Sequence, residues 1–235
     1  MKTVILAGGK GTRLKPYTTA FPKPLMPIGD KPILEIIIRQ LKSCGFEDII
    51  ISVGHLGELI MNFFGDGSQL GVNIKYSRED KPLGTAGGLG LIKGELKDTF
   101  LVVNGDTLTT LNYSDLVNYH QRNGAVTTIA LKKREVYIDF GIVELDGSNN
   151  VKGYTEKPTT EYLVSMGVNV FEPGVLEYIK EGERLDFPDL TRTLITNGEK
   201  VKGFLFDGYW LDIGRREDYE KANEEIEELS RILNL

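Results

Sequence analysis

The chain has 235 residues, with 28 Lys and Arg against 34 Asp and Glu and a formal net charge of −6 at pH 7. This length accommodates one large α/β domain with a well-buried core and does not require two, while the acidic balance argues against a general nucleic-acid-binding surface. With Cys44 the only cysteine, no internal disulfide can form; no secretory segment opens the sequence and no apolar run approaches membrane-spanning length, so a cytoplasmic protein without a membrane partner is expected.

The first predicted element is a short apolar strand, Thr3 to Ala7. It runs into Gly8-Gly9-Lys10-Gly11-Thr12-Arg13-Leu14. Three glycines allow positive φ and close approach of the backbone to a ligand, and successive N–H groups in such a turn point into one concavity that binds an anion. Lys10, Arg13, Lys15 and Lys23 supply cations, and Arg13 offers the planar fork that suits phosphate oxygens. Between Met1 and Lys31 there are six Lys or Arg against the single acid Asp30, so positive charge gathers at this turn in a chain that is acidic overall. A polyphosphate is the expected ligand. The P-loop pattern is absent, and Leu14 stands where the dinucleotide fingerprint wants a third glycine.

Strand-like and helical patterns then alternate: a helix from Pro32 to Cys44, a strand from Asp48 to Val53, a helix from Leu56 to Phe64, a strand from Asn73 to Arg78, a glycine-rich helix near Thr85 to Lys93, and a strand from Thr99 to Asn104. Alternation of this kind predicts a single doubly wound, mostly parallel Rossmann-like sheet with helices on both faces. Cys44, at the end of an apolar helical segment, reads as a buried thiol. The second half is less regular. Val126 to Lys132 reads as a strand, Phe140 to Leu145 and Val151 to Thr155 as a small β-hairpin around Asp146-Gly147-Ser148-Asn149-Asn150, and Ser165 to Phe171 and Val201 to Phe206 as strands flanking a helix near Asp189 to Thr196. A long C-terminal helix is expected over 217–235; its single apolar face could dock on its own domain or on a neighbouring copy. His55 and His120 fall in unrelated helical patterns with no ligand at metal spacing, and read as structural.

Leu6 to Arg13 together with Pro22-Lys23-Pro24, Pro82-Leu83-Gly84-Thr85-Ala86-Gly87, Asn104-Gly105-Asp106, Glu156-Lys157-Pro158, Gly167-Val168-Asn169 and Trp210-Leu211-Asp212-Ile213-Gly214 resembles, in order, the signature set of the sugar-phosphate nucleotidyltransferases, also called NDP-sugar pyrophosphorylases. The resemblance spans about residues 2 to 218. It implies a nucleotide-binding half over about 1–125 and a sugar-phosphate-binding half over about 126–216. It also implies condensation of an NTP with a sugar 1-phosphate to give an NDP-sugar and pyrophosphate, without a covalent intermediate.

On that resemblance Arg13, Lys23 and Asp106 are the catalytic candidates. Leu6, Ala7, Gly8, Gly9, Gly11, Thr12, Arg13, Lys23, Glu79, Pro82, Gly84 and Thr85 would bind the nucleotide. Asn104, Gly141, Glu156, Lys157 and Asn169 would bind the sugar phosphate, and Asp106 with Asp212 would hold Mg²⁺. Asp106 follows the apolar run Phe100 to Asn104, and so falls at the carboxyl end of a predicted strand, where open α/β sheets place ligands. A carboxylate at Glu79 could accept the paired N1–H and amino donors of guanine, which favours GTP with mannose 1-phosphate or a related hexose or heptose 1-phosphate. Thymidylyl, uridylyl or cytidylyl transfer stays open. A catalytically silent subunit that senses nucleotides is the reading from another class, and an NAD-dependent oxidoreductase lacks both its third glycine and its ribose-binding acid.

Overall fold

The computed structural model describes residues 1–233. Its strands are β1 (Lys2–Ala7), β2 (Pro27–Ile28), β3 (Lys31–Pro32), β4 (Asp48–Val53), β5 (Asn73–Arg78), β6 (Phe100–Asn104), β7 (Thr107–Thr109), β8 (Thr127–Tyr137), β9 (Ile142–Leu145), β10 (Val151–Thr155), β11 (Thr159–Phe171), β12 (Val201–Leu205) and β13 (Trp210–Asp212). Its helices are α1 (Ile33–Ser43), α2 (Gly57–Phe64), α3 (Gly84–Gly87), α4 (Tyr113–Asn123), α5 (Phe187–Thr196), α6 (Arg216–Glu224) and α7 (Ile226–Leu233).

Seven strands form one sheet in the order β12-β8-β11-β6-β1-β4-β5. Only β11 runs against the rest, pairing antiparallel with β6 and β8 while β1, β4, β5 and β6 are parallel neighbours and β12 is parallel to β8. The fold is therefore the expected mostly parallel α/β sheet. Alternation along the central strands divides the core in two. Ile5, Ala7, Ile49, Ile51, Leu101 and Val103 pack with α1, α2 and α4 on one face; Val4, Ile50, Phe100 and Val102 pack with Ala86, Leu89, Leu190 and Leu194 on the other. Strands with both faces buried read as continuous apolar runs, which is why β4 and β6 were legible. β1 lies centrally between β4 and β6, and the chain leaves it first toward β4 and β5 before returning to β6. The carboxyl ends of β1 and β6 thus flank the crevice where such sheets bind ligands.

Several expectations need correction. The glycine-rich helix over Thr85 to Lys93 is a single α-turn, α3, followed by 3₁₀ turns over Gly88–Glu95 that kink at Ile92. β8 and β11 run past the sheet as a two-stranded ribbon reaching Tyr137 and Thr159, longer than the expected strands, and the β9–β10 hairpin follows from its end. The C-terminal helix divides at Glu225 into α6 and α7. Glu225 accepts a hydrogen bond from the Tyr209 hydroxyl at 2.8 Å, and Ile226 lies directly against Gly29, so tertiary contacts turn the chain where the local pattern would continue. Residues 234 and 235 of that expected helix lie outside the described residues. Cys44 is half-buried at the end of α1 rather than fully enclosed. His55 stands exposed in the turn before α2, not in a helix. His120 is buried and structural as expected, its ring nitrogens facing Thr128 Oγ1 at 2.8 Å and Glu172 Oε1 at 3.0 Å.

Candidate active site

The turn after β1 is shaped by two local devices. Gly11 adopts φ of 59°, in the left-handed region, with its carbonyl accepting a 2.7 Å hydrogen bond from the Thr18 hydroxyl. Beyond it, Thr12–Leu14 forms a 3₁₀ turn that buries Leu14 and leaves Arg13 exposed. Leu6, Ala7, Gly9, Gly11, Thr12 and Arg13 line one side of a cleft of about 260 Å³, and Lys23, Gly105 and Asp106 line the other. Lys23 is buried on a 3₁₀ turn, with its ammonium against the Asp106 carboxylate. Gly105 is required for this approach: its N–H donates to the Leu6 carbonyl at 2.9 Å, and a Cβ there would stand 2.8 Å from the same oxygen.

The two aspartates come together through a ladder of only three pairs. β7 and β13 are antiparallel with Thr107 opposite Asp212, and the Ile213 N–H donates to the Asp106 carbonyl at 3.0 Å. Asp106 Oδ2 takes Lys23, while Oδ1 is buried without a protein partner. Burial holds the Asp212 carboxyl above the usual carboxylate range, and the neighbouring charge of Asp106 pushes the same way, against the opposing pull of Lys23 and Arg13. The Arg13 guanidinium packs on Gly214, where a Cβ would lie 3.1 Å from Nη1. Arg13, Lys23, Asp106 and Asp212 therefore form one cluster: two cations and two carboxylates, with the buried Oδ1 of Asp106 left without a protein partner. No group of three or more His, Cys, Asp or Glu side chains at metal-holding distance occurs among the described residues. Any divalent ion would have to take much of its shell from a bound ligand.

A second cleft, of about 360 Å³, adjoins the turn at Gly8 and is walled by Gly54, His55, Glu79, Lys81 and Pro82. Glu79 is built into its wall. Oε1 accepts from the Ser52 hydroxyl at 2.9 Å, Oε2 accepts from the Leu83 N–H at 3.0 Å, and the carboxylate is wedged where Gly88 leaves no room for a Cβ, 2.8 Å away. Each oxygen keeps a second lone pair, but neither is free of protein contact. Gly84 and Thr85 also make contacts across the fold. The Thr85 hydroxyl accepts from the Phe187 N–H at 2.8 Å, its N–H donates to Asp186 at 2.9 Å, and Gly84, at φ of 78°, sits where a Cβ would meet the Leu185 carbonyl at 2.5 Å. These residues tie α3 to the start of α5, a contact across more than 100 positions that sequence spacing does not signal.

The sugar-side candidates divide in the same manner. Asn104, at the end of β6, packs over Gly167, whose φ of 73° lies in the irregular register between Ser165 and Asn169. Asn169 is buried beneath it, opposite Val102. By contrast, Gly141 is covered by the Tyr154 ring, Glu156 accepts from the Tyr154 hydroxyl at 3.2 Å, and Lys157, at φ of 46°, pairs with Asp139 at 3.0 Å. These three sit at the far end of the β8–β11 ribbon and find their partners there, not at the glycine turn. Sequence reading missed His55 and the roles of Ser52 and Asp186, none of which carries a local signal.

With this geometry established, the chain can be set beside known proteins. A family described as Nucleotidyl transferase matches residues 2–229. A UTP–glucose-1-phosphate uridylyltransferase of Synechocystis is 38% identical over 94% of this chain and 62% of the relative. A mannose-1-phosphate guanylyltransferase of Mycobacterium tuberculosis is 35% identical over 95% of this chain and 64% of the relative. The chain thus spans somewhat less than two thirds of the length of these curated relatives. Among solved structures, HddC from Yersinia pseudotuberculosis complexed with GMP-PN superposes with a TM-score of 0.75 at 26% identity, covering 96% of this chain and 99% of that one. A glycine turn facing two carboxylates over a mostly parallel sheet, matched from residue 2 to residue 229, places the chain in the nucleotidyl transferase family.

Proposed function

We propose that the chain condenses an NTP with a sugar 1-phosphate, releasing pyrophosphate and forming an NDP-sugar. The observation that carries this reading is the convergence of Arg13, Lys23, Asp106 and Asp212 beside the Gly8–Gly11 turn. A phosphate oxygen of the sugar phosphate attacks the α-phosphorus, the bond from that phosphorus to the bridging oxygen breaks, and pyrophosphate carries away the electron pair. The nucleophile is already anionic, so no general base is required. The obstacle is repulsion between two polyanions, which fixed positive charge and alignment overcome.

In this reading the turn's N–H groups hold the triphosphate, and Arg13 balances the charge that grows on the leaving pyrophosphate. Lys23 exchanges its hold on Asp106 for the α-phosphate or the attacking phosphate. The open, buried Oδ1 of Asp106 and the repelled carboxyl of Asp212 fit a hard divalent cation, and Mg²⁺ takes only one or two protein carboxylates beside phosphate and water. Bound there, the ion would neutralise the α-phosphate and fix its geometry. Residues 1–125 would then carry the nucleotide, with Leu6 to Thr12, Glu79, Pro82, Gly84 and Thr85 around it. Residues 126–216 would carry the sugar, through Asn104 and Asn169 at the floor and Gly141, Glu156 and Lys157 on the ribbon.

GTP with mannose 1-phosphate is the specific pair we favour, supported by the guanylyltransferase relative and by the GMP-PN carried by HddC. Uridylyl transfer is the second reading. The Synechocystis uridylyltransferase favours it, and so does Glu79, whose two oxygens already accept hydrogen bonds from Ser52 and Leu83 and are less open to guanine's paired donors. Pyrophosphate release measured across GTP, UTP, dTTP, CTP and ATP with a panel of hexose 1-phosphates tests both. Preference for GTP and mannose 1-phosphate is expected; preference for UTP with glucose 1-phosphate would replace the first reading by the second, and no product with any pair would overturn both.

A further inference from the structure

Arg13 is a wall shared by two clefts. On one side lies the glycine turn; on the other a cleft of about 610 Å³ opens between the root of the β8–β11 ribbon and the start of α6. Its basic lining is Arg13, Lys132, Lys133, Arg134, Arg215 and Lys221. Its acids are Asp212, Glu217 and Asp218, so the cleft is positive in a chain whose net charge is −6.

The six cations are not equivalent. Lys132 donates to the carbonyls of Asp207 and Gly208 at 2.5 and 2.8 Å, Lys133 pairs with Glu161 at 2.9 Å, and Lys221 pairs with Glu225 at 3.8 Å. The guanidinium groups of Arg13, Arg134 and Arg215 have no acidic partner at ion-pair distance among the described residues. Of the acids, Asp212 belongs to the carboxylate pair and Asp218 accepts from the Arg215 backbone N–H at 2.8 Å, which leaves Glu217 as the one acid of the lining without such a commitment among the described residues. Three unpaired guanidinium forks facing one polar cleft are the chemistry of phosphate recognition, and of a phosphate with more than one oxygen face to offer.

From this we infer that the cleft is a pyrophosphate site, in which Arg134 and Arg215 join Arg13 to hold the β- and γ-phosphates and to receive pyrophosphate as it leaves. The inference rests on the proposed nucleotidyl transfer for the direction of the phosphate chain: an α-phosphate at Lys23 and Asp106 leaves the outer phosphates at Arg13, which opens onto this cleft.

Titration calorimetry with inorganic pyrophosphate, in metal-free buffer and without nucleotide, tests it. The Arg134→Gln and Arg215→Gln variants should each weaken binding about fivefold, and the double variant more than about tenfold. Lys133→Gln, whose charge Glu161 already neutralises, should change it less than about twofold. In the reverse reaction the double variant should raise KM for pyrophosphate and leave KM for the nucleotide sugar unchanged. Unaltered pyrophosphate binding in the double variant, or an equal loss in Lys133→Gln, would overturn the assignment. So would a raised KM for sugar phosphate with pyrophosphate unaffected, which would give the cleft to the incoming substrate. Absence of any nucleotide-sugar product would remove the proposed reaction but leave the titration readable.

Discussion

Gly54 offers the sharpest perturbation of the phosphate turn from outside it. It follows β4, and a Cβ built there would stand 2.9 Å from the Gly8 carbonyl oxygen and 3.3 Å from Gly8 Cα. Ordinary non-bonded contact is roughly 3.5–4.0 Å, so Gly54→Ala must displace the turn by about half an ångström or more, and the obstacle is backbone that cannot rotate away. Gly54 is not held at positive φ, so alanine meets no conformational penalty of its own. Overpacking of this kind costs about 1–3 kcal/mol, which at this chain length is a fall in Tm of roughly 2–12 °C. The functional loss should be larger than the stability loss implies, because an ångström of misplacement at a reacting centre can cost about a hundredfold; a drop of about tenfold or more in kcat/KM for the NTP is expected. Gly94→Ala is the control, since nothing lies within 4 Å of its Cβ position and its φ is not positive. Thermal melts and pyrophosphate-release kinetics on both variants decide the matter. Wild-type kcat/KM in Gly54→Ala, or an equal loss in Gly94→Ala, would refute the claim that the turn's position limits the reaction.

Further outcomes follow from the same geometry. Asp212→Asn removes a half-buried carboxylate that faces Asp106, so without metal the variant should melt higher than the parent while losing turnover; a lower Tm would contradict the repulsion between the two acids. Gly84→Ala forces alanine to φ of 78° against the Leu185 carbonyl, and should cost about 3 kcal/mol, read as a clear loss of Tm in a thermal scan. Arg13→Ala should leave the melt unchanged and lower kcat at least about a hundredfold, as measured by pyrophosphate release.

The parts of this site that were legible in the sequence are those whose chemistry is local. Glycines and cations lie within a few residues of each other between Gly8 and Lys23, and the apolar runs of β1, β4 and β6 announce a doubly covered sheet. Asp106 could be placed at a strand's end, but its meeting with Asp212 could not be derived from spacing. β7 and β13 are three residues each, below the length at which periodicity speaks, and only the resemblance joined them. Thr85 enters the nucleotide set only through the resemblance, and the second task of its segment, in which Gly84 and Gly87 let the backbone approach Leu185 and Glu183, carries no sequence signal. The break at Glu225 is likewise invisible locally, since it is set by Tyr209 and by the fit of Ile226 on Gly29. In each case the missing information is a contact between residues far apart in the chain.

The central claim is that the glycine turn and the Asp106–Asp212 pair together hold a triphosphate and a divalent ion. Calorimetric NTP affinity, with and without Mg²⁺, tests it most directly when the parent is compared with Asp106→Asn/Asp212→Asn. The parent should bind NTP more tightly with Mg²⁺ than without it, and the double variant should lose that difference while still binding metal-free NTP through the turn. An undiminished Mg²⁺ effect in the double variant, or no NTP binding by the parent, would contradict the account.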